Sequence, residues 1–307
     1  MPGWRIDMDK AYPGVTPDSR PRRTKRDKRR PYTFGEKLEL TVLYIILIAF
    51  AACFVVPFLW LFLQSIKAPS ELFKTPVQIF PAVPQWKNYL KVFNSFPFFL
   101  YLRNTMIIVF FNIIGSVLSN SLIAYGFSRL RWKMREKVFI LVIITMILPF
   151  QVTMIPLFLM FSKMGWIGTF LPLTVTCFFG NPFYIFLLRQ FFLGIPFELS
   201  YAARVDGANE FQIWWKIIMP LAKPVLTTVV IFAFLRTWND FIGPLIFLSK
   251  NSLYTLSLGA QQIMATYDPK WDLLMALGVV MTAPVLIMFF IMQKYFIQGI
   301  AMSGIKG

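Results

Sequence analysis

Long apolar segments alternate with polar, charged connections along the chain, and six of the apolar segments have the length of a membrane span. A helix needs about 20 residues to cross the hydrocarbon core of a bilayer. The six segments run from Leu40 to Leu63, Asn104 to Phe127, Val138 to Phe161, about Thr169 to Leu188, about Val225 to Leu248, and Leu273 to about Tyr295. The pattern therefore predicts an all-α, polytopic membrane protein with six transmembrane helices.

Residues 194–222 form a mostly polar stretch between the fourth and fifth predicted spans, which we call the elbow. Pro196 suits the first turn of a helix, and Gly207 offers the left-handed conformation in which a helix ends at little cost. A second helix can begin at Asn209, with Gln212 completing a capping box. Its apolar residues repeat at helical spacing as one stripe, formed by Phe211, Trp214, Trp215 and Ile218. The stretch predicts a helix, a glycine turn and an amphipathic helix, although composition alone also fits a plain interfacial loop.

The formal net charge of +17 is unevenly distributed, and its distribution predicts the orientation of the chain. With the N-terminus inside, the cytoplasmic segments carry 22 Lys and Arg residues and the opposite segments carry 8. Positive residues are enriched in cytoplasmic loops, so both termini and the elbow are predicted to be cytoplasmic. The chain then divides into a basic N-terminal segment (1–37), a six-span transmembrane domain (38–297) and a C-terminal tail (298–307). The basic run in residues 22–30 orients the first span or contacts membrane lipid, and no nucleic acid partner is expected.

Several classes of protein are disfavoured by what the sequence lacks. Histidine, the commonest metal ligand and general base, is absent, so we expect no metal site and no catalytic constellation. A Gly-x4-Gly-Lys-Ser/Thr phosphate loop is also absent, so ATP chemistry would have to take place on another chain. Cys53 and Cys177 both lie in apolar segments and are interpreted as small buried hydrophobic residues. A secondary transporter often has two similar halves, and no such repeat is visible here.

The elbow resembles the EAA loop of the permease subunits of ABC importers. The matching pattern is Ala202-Ala203, three residues, Gly207, nine residues, and then Ile217-Ile218-Met219-Pro220. Tyr201 stands where that family usually has Glu, and Met219 where it has Leu. The resemblance implies the type I permease fold of ABC importers and an elbow that docks in a groove of a cytoplasmic ATPase subunit. It assigns this coupling to Tyr201, Ala202, Ala203, Asp206, Gly207 and Ala208.

Other segments are similar to carbohydrate-uptake ABC permeases, in particular to the smaller permease subunit of maltose-type importers. They are Gln85-Trp86-Lys87-Asn88-Tyr89, Arg103-Asn104-Thr105, the run 234–241 and the tail 293–307. The likeness implies a bacterial inner-membrane permease that pairs with a second permease subunit and stands on two ATPase subunits. ATP and Mg would bind those ATPases, with no cofactor on this chain, and an extracytoplasmic solute-binding protein would deliver a carbohydrate. A permease for an amino acid or an osmolyte is the alternative.

A sugar path needs polar and aromatic side chains at membrane depth, which can bond hydroxyls and stack on ring faces. Candidates are Arg236, Trp238, Asn239, Asp240, Gln151 and Asn181, and for each the alternative is a hydrogen bond between helices. Arg236 and Asp240 are four residues apart on the predicted fifth helix and can form a pair. A charge at the bilayer centre costs about 2.5–3.5 kcal/mol on insertion scales, so this pair is expected to face the cavity.

The predicted topology can be tested with single cysteines on a background that lacks Cys53 and Cys177. We expect Asn209→Cys in the elbow to be protected, in intact cells, from a reagent that cannot cross the membrane, because the charge asymmetry places the elbow inside. Lys74→Cys, in the predicted outer connection 64–103, is the positive control. Modification of Asn209→Cys from outside would refute the topology.

Overall fold

A computed structural model of the protein describes residues 33–265 and 270–304, and the side chains within 33–265 and 270–293. Every regular element in these residues is helical, which confirms the predicted all-α class. Residues up to Val56 and residues from Pro57 onward form two separate units. Most of the predicted N-terminal segment lies outside the described residues. The predicted tail is described up to Gly304, as the continuation of the last helix.

The longer helices are α1 (Phe34–Ser65), α2 (Lys87–Ser95), α3 (Phe98–Ser128), α4 (Arg135–Ile144), α5 (Phe150–Lys163), α6 (Pro182–Leu193), α7 (Phe197–Val205), α8 (Lys223–Trp238), α9 (Leu256–Met264) and α10 (Trp271–Gly304). Shorter helical turns lie between them, at Pro69–Leu72, Thr145–Ile147, Leu171–Thr174, Thr176–Phe179, Glu210–Ile213, Trp214–Ile218, Met219–Leu221, Ile242–Phe247 and Asn251–Leu253.

Only some of the predicted spans are continuous helices. Four apolar helical segments are long enough to cross a membrane without a sharp bend, namely Phe34–Ser65, Phe98–Ser128, Leu171–Leu193 and Trp271–Gln293, although Leu171–Leu193 consists of two short turns and a helix. Two more span only as bent pairs, Arg135–Ile147 with Phe150–Lys163 at 99° and Glu210–Leu221 with Lys223–Trp238 at 83°. The prediction of six spans corresponds to the upper count of four to six, with each bent pair taken as one span. In the second pair, Glu210–Leu221 belongs to the predicted cytoplasmic elbow, and the predicted fifth span overlaps only Lys223–Trp238.

Two of the breaks have direct causes in the sequence. The first bent pair turns at Pro149, an extended residue that precedes α5, because a proline ring restricts the residue before it and offers no N–H group. The predicted fourth span is interrupted before α6 at Gly180, whose φ is +90°, a conformation that favours glycine. Asn181 then caps α6, since its side chain accepts hydrogen bonds from the backbone N–H groups of Phe183 and Tyr184.

Helix α3 is the centre of the bundle and packs against both α6 and α8. Its amide and hydroxyl side chains bond the backbone of the broken segments around it. The Asn112 side chain donates to the Leu173 carbonyl at 2.7 Å, and the Ser119 hydroxyl donates to the Cys177 carbonyl at 3.1 Å. These bonds are needed because non-helical backbone at membrane depth finds no water to pair with.

Asn120 and Asn104 extend this pattern along α3, and both are fully buried. The Asn120 side-chain oxygen accepts from the Asn181 N–H at 2.6 Å, beside the break at Gly180. The Asn104 amide donates at 2.9 and 3.0 Å to the carbonyls of Ser252 and Tyr254. Polar side chains of α3 thus hold two irregular segments that are far from it in sequence.

We expect Asn120→Ala to lower the thermal stability of the purified protein in detergent. The change leaves the Asn181 N–H without its partner, which costs about 1–3 kcal/mol for a buried donor. The matched control is Asn94→Ala on α2, an exposed residue whose amide bonds only the carbonyl of Leu90 in its own helix. Equal melting temperatures for the two variants would contradict the role of Asn120.

Candidate functional site: the elbow and a polar cavity

The first half of the elbow forms the predicted helix and glycine turn. Helix α7 ends at Val205, and Gly207 follows with φ +83° and open space where a side chain would be. The capping box is also present, since the side chains of Asn209 and Gln212 each accept the other's backbone N–H at 2.9 Å. Local sequence signals therefore fix this turn.

The second half of the elbow departs from the prediction. The helix that starts at Glu210 widens into a π-helical turn, in which the Met219 N–H bonds the Trp214 carbonyl five residues back. Trp214 is buried, whereas Trp215 is 50% exposed and Phe211 is 63% exposed. Three residues of the predicted stripe do lie together, since the Trp214 ring is 5.2 Å from the Phe211 ring and 5.4 Å from the Trp215 ring. Of the four residues, only Trp214 and Ile218 are buried.

Helix α7 has one free face and one covered face. Tyr201, Ala202, Asp206 and Gly207 are exposed, as is Val205, the most exposed residue of this helix at 88%. Ala208 is half-buried. Ala203 is only 8% exposed and belongs to the hydrophobic cluster under the elbow with Ile195, Ile213 and Ile218. The expectation that a partner approaches closely at Ala203 is thus corrected, because the helical period turns this residue inward beside Ser200.

An ion pair closes the glycine turn. Arg204, which precedes the turn, contacts Glu210, which follows it, through bonds of 2.7 and 3.2 Å. The Tyr125 hydroxyl of α3 donates to the same carboxylate. The hydrogen bond from Arg204 lowers the pKa of Glu210, and the bond to Glu210 raises the pKa of Arg204. The two arms of the elbow are therefore held to each other and to α3.

Arg129 fastens the start of the elbow to the end of α3. One terminal nitrogen of its guanidinium donates to the Phe192 carbonyl and, at 2.6 Å, to the Ile195 carbonyl, and the other donates to the Pro196 carbonyl at 3.4 Å. The guanidinium carbon lies 4.4 Å from the centre of the Phe197 ring. In the sequence analysis, Arg129 was only one of the positive residues that orient the chain. Its bonds to these carbonyls could not be predicted, because the residues near it in sequence give no signal for them.

Arg189 makes the reciprocal connection from α6. Its Nε donates to the Phe127 carbonyl at 3.1 Å, and its Nη2 donates to both carboxylate oxygens of Glu136 at 2.8 Å. Its guanidinium also lies 4.1 Å from the centre of the Phe139 ring. The ends of α3 and α6 and the start of α4 are therefore joined at one place.

A cavity of about 230 Å³ lies among α3, α5, the broken fourth span and α8. Its polar lining includes Thr105, Asn112, Ser116, Asn181, Tyr184, Arg236, Thr237 and Asp240. Three of the six predicted path residues, Asn181, Arg236 and Asp240, are thus brought together in one wall. The α3 residues were missed, although Thr105, Asn112 and Ser116 follow one another at intervals of seven and four, which place them on one helical face.

The other three predicted path residues lie elsewhere. Trp238 is buried and donates its ring N–H to the Met281 carbonyl at 3.1 Å, so it packs against α10. Asn239 bonds the Leu235 carbonyl at 2.8 Å and, like Trp238, lies outside the cavity lining. Gln151 is exposed and is also outside that lining.

The predicted pair of Arg236 and Asp240 does not form. Among the described side chains, these two make no ion pair within 4.0 Å. Helix α8 ends at Trp238, so the i, i+4 geometry on which the prediction depended is lost before Asp240. The Asp240 carboxylate instead accepts from the Gly243 N–H at 3.0 Å, at the start of the turn Ile242–Phe247.

A polytopic helical bundle with an internal polar cavity and an exposed, braced elbow has the features of a transport permease. Residues 117–302 match the family described as "Binding-protein-dependent transport system inner membrane component". The chain belongs to this family, and the resemblance to ABC-importer permeases is confirmed.

Individual relatives cover most of the chain. The arabinooligosaccharides transport system permease protein AraQ of Bacillus subtilis is 33% identical over 88% of this chain and 96% of its own length. The lactose transport system permease protein LacG of Rhizobium radiobacter is 30% identical over 87% and 97%. The crystal structure of a bacterial ABC transporter involved in the import of the acidic polysaccharide alginate contains a similar chain, with 25% identity and a TM-score of 0.75 over 86% of this chain and 99% of that one.

We expect the stability contributed by Glu210 to depend on pH. Because the folded-state pKa of its carboxyl is lowered, the contribution is present above the unfolded pKa of about 4.3 and is lost as the pH falls through the folded value. The melting temperatures of the wild type and of Glu210→Gln should therefore differ at neutral pH and converge in acid. Asp206→Asn is the control, because Asp206 is exposed beside the glycine turn and forms no ion pair among the described residues. If the melting temperatures of the wild type and of Glu210→Gln differed by the same amount at every pH, the role of this ion pair would be contradicted.

Proposed function

We propose that this chain forms half of the translocation path of an ATP-driven importer for a sugar or an oligosaccharide. The observation that carries the proposal is the elbow, whose exposed face is free for a partner while its other face is fixed to the spans. A docking element needs both properties, because a loosely held helix would bind without moving the bundle. Tyr201, Ala202, Val205, Asp206 and Gly207 form the contact face for an ATPase subunit.

The remaining partners follow from this arrangement. A second permease subunit completes the path as a heterodimer, and two ATPase subunits bind ATP and Mg and dock one elbow each. A solute-binding protein delivers the substrate on the opposite side of the membrane, and this chain carries no cofactor of its own. The 22-to-8 excess of positive residues supports cytoplasmic termini and a cytoplasmic elbow.

The lining of the cavity supports the proposal that the substrate carries several hydroxyl groups. The Asn112 amide, the Asp240 carboxylate and the Arg236 guanidinium line it beside several hydroxyl groups, so hydroxyl donors and acceptors of a sugar can both be matched. The names of the relatives, which refer to arabinooligosaccharides and lactose, support the same class of substrate. In the proposed mechanism, the cavity opens alternately to one side of the membrane and then to the other.

The docking face is tested by enlarging a small exposed residue. We expect Ala202→Trp to reduce the ATPase that co-purifies with the tagged chain by about tenfold, which corresponds to about 1.4 kcal/mol of binding free energy. Ala82→Trp, at an exposed alanine in the connection between α1 and α2, is the matched control. Undiminished co-purification with Ala202→Trp would remove this face from the interface.

The substrate class is tested with the same purified complex in proteoliposomes. The wild type should accumulate a labelled oligosaccharide only with ATP and the binding protein, and it should not accumulate a labelled amino acid or osmolyte. Uptake of the amino acid or the osmolyte in place of the sugar would replace the carbohydrate assignment. Uptake without ATP would overturn the importer class.

A further inference from the structure

Arg129 is a buried charge whose acceptors are all backbone carbonyls. It is only 3% exposed, and within the described residues it forms no ion pair with a carboxylate. Its acceptors are the carbonyls of Phe192, Ile195 and Pro196, at the junction between α6 and α7. A guanidinium stays charged in proteins, so this residue cannot relieve its burial by losing a proton.

The charge is compensated by groups that belong to the start of the elbow. The last carbonyls of α6 carry the negative end of the helix dipole, and the Phe197 ring contributes its negative face. If α3 and this junction separated, the guanidinium would lose all of these partners at once. The planar fork of Arg129 therefore fixes the junction of α6 and α7 relative to the end of α3.

Arg189 strengthens the connection in the opposite direction. It extends from α6 to the Phe127 carbonyl at the end of α3, and its ion pair with Glu136 includes the start of α4. With Arg129 extending from α3 toward α6, the two helices hold each other through opposed bonds. A displacement of α7 therefore moves α6 and α3 with it as one rigid unit.

The other end of this connection is the cavity. Helix α3 contributes Thr105, Asn112 and Ser116 to the cavity wall, and it is one unbroken helix from Phe98 to Ser128. A shift at the C-terminal end of a continuous helix is transmitted along it, whereas a broken segment can absorb the shift at its break. Helix α3 is therefore an unbroken physical route from the elbow to the cavity.

We propose that Arg129 is a positioning residue that couples displacement of the elbow to movement of the cavity wall, and that it thereby sets how much substrate is carried per ATP hydrolysed. This rests on the proposed function, in which the exposed face of α7 docks an ATPase. Arg129 itself would touch neither the substrate nor the ATPase.

The test measures transport and ATP hydrolysis separately in proteoliposomes containing the complete complex. We expect Arg129→Met to retain the co-purified ATPase and ATP hydrolysis but to transport about five- to tenfold less substrate per ATP, at the lower end of couplings between two sites. Arg129→Lys keeps the charge but not the planar fork, so it should give an intermediate ratio. The matched control is Arg131→Met, which removes an exposed positive charge two residues away and should leave the ratio unchanged.

Each possible outcome decides the question. An unchanged transport-to-ATP ratio in an assembled Arg129→Met complex would overturn the proposal, and so would an equal loss in Arg131→Met. If Arg129→Met does not assemble, Arg129→Lys carries the test, and failure of both variants to assemble would assign Arg129 to folding alone. Failure of the docking proposal gives a different result, since Ala202→Trp would then keep the ATPase whatever Arg129 does.

Discussion

The structure depends on one requirement, that backbone groups in broken membrane segments find hydrogen-bond partners inside the protein. Helix α3 meets it with amide side chains. Asn104, Asn112 and Asn120 bond the irregular backbone near residues 252–254, 173 and 181. Because the same helix bears Thr105 and Ser116, it both holds the broken segments in place and lines the cavity. Support of the fold and construction of the cavity are therefore properties of one helix.

At the elbow, charged side chains bond the backbone carbonyls. Arg129 and Arg189 bond carbonyls at the ends of each other's helices. Their interactions leave the exposed face of α7 free, so the elbow is fixed on one side and accessible on the other. The Arg204–Glu210 ion pair adds a local closure of the glycine turn. A permease of an ATP-driven importer needs this combination, since force applied to the elbow has to reach the substrate path without loss in a flexible loop.

Some features of the candidate site could be predicted because they depend on neighbouring residues only. Gly207 and the Asn209–Gln212 capping box fix the backbone within a few positions, and both form as expected. The pairing of Arg236 with Asp240 was wrong because it assumed that the helix continues beyond Trp238. On the second elbow helix, Phe211, Trp214 and Trp215 do lie together, but the π-helical turn was not predicted. Asn239, Asp240 and the pair Gly243-Pro244 favour a helix end or a turn, whereas the wide turn has no signal in the residues that the prediction used.

The sequence by itself determined the helical class, the apolar segments that can cross a membrane and the glycine turn of the elbow. Segment length, composition and local backbone preference depend only on residues that are near one another in the sequence. They can therefore be predicted without knowledge of distant contacts. Only the tertiary structure decided that Ala202 is exposed while Ala203 is covered, and that Asn181, Arg236 and Asp240 share a cavity without Trp238. It also decided the partners of Arg129, whose acceptor carbonyls lie 63 to 67 residues further along the chain. Partners at that distance are set by how the helices pack, because a side chain bonds whichever backbone group the folded bundle brings beside it.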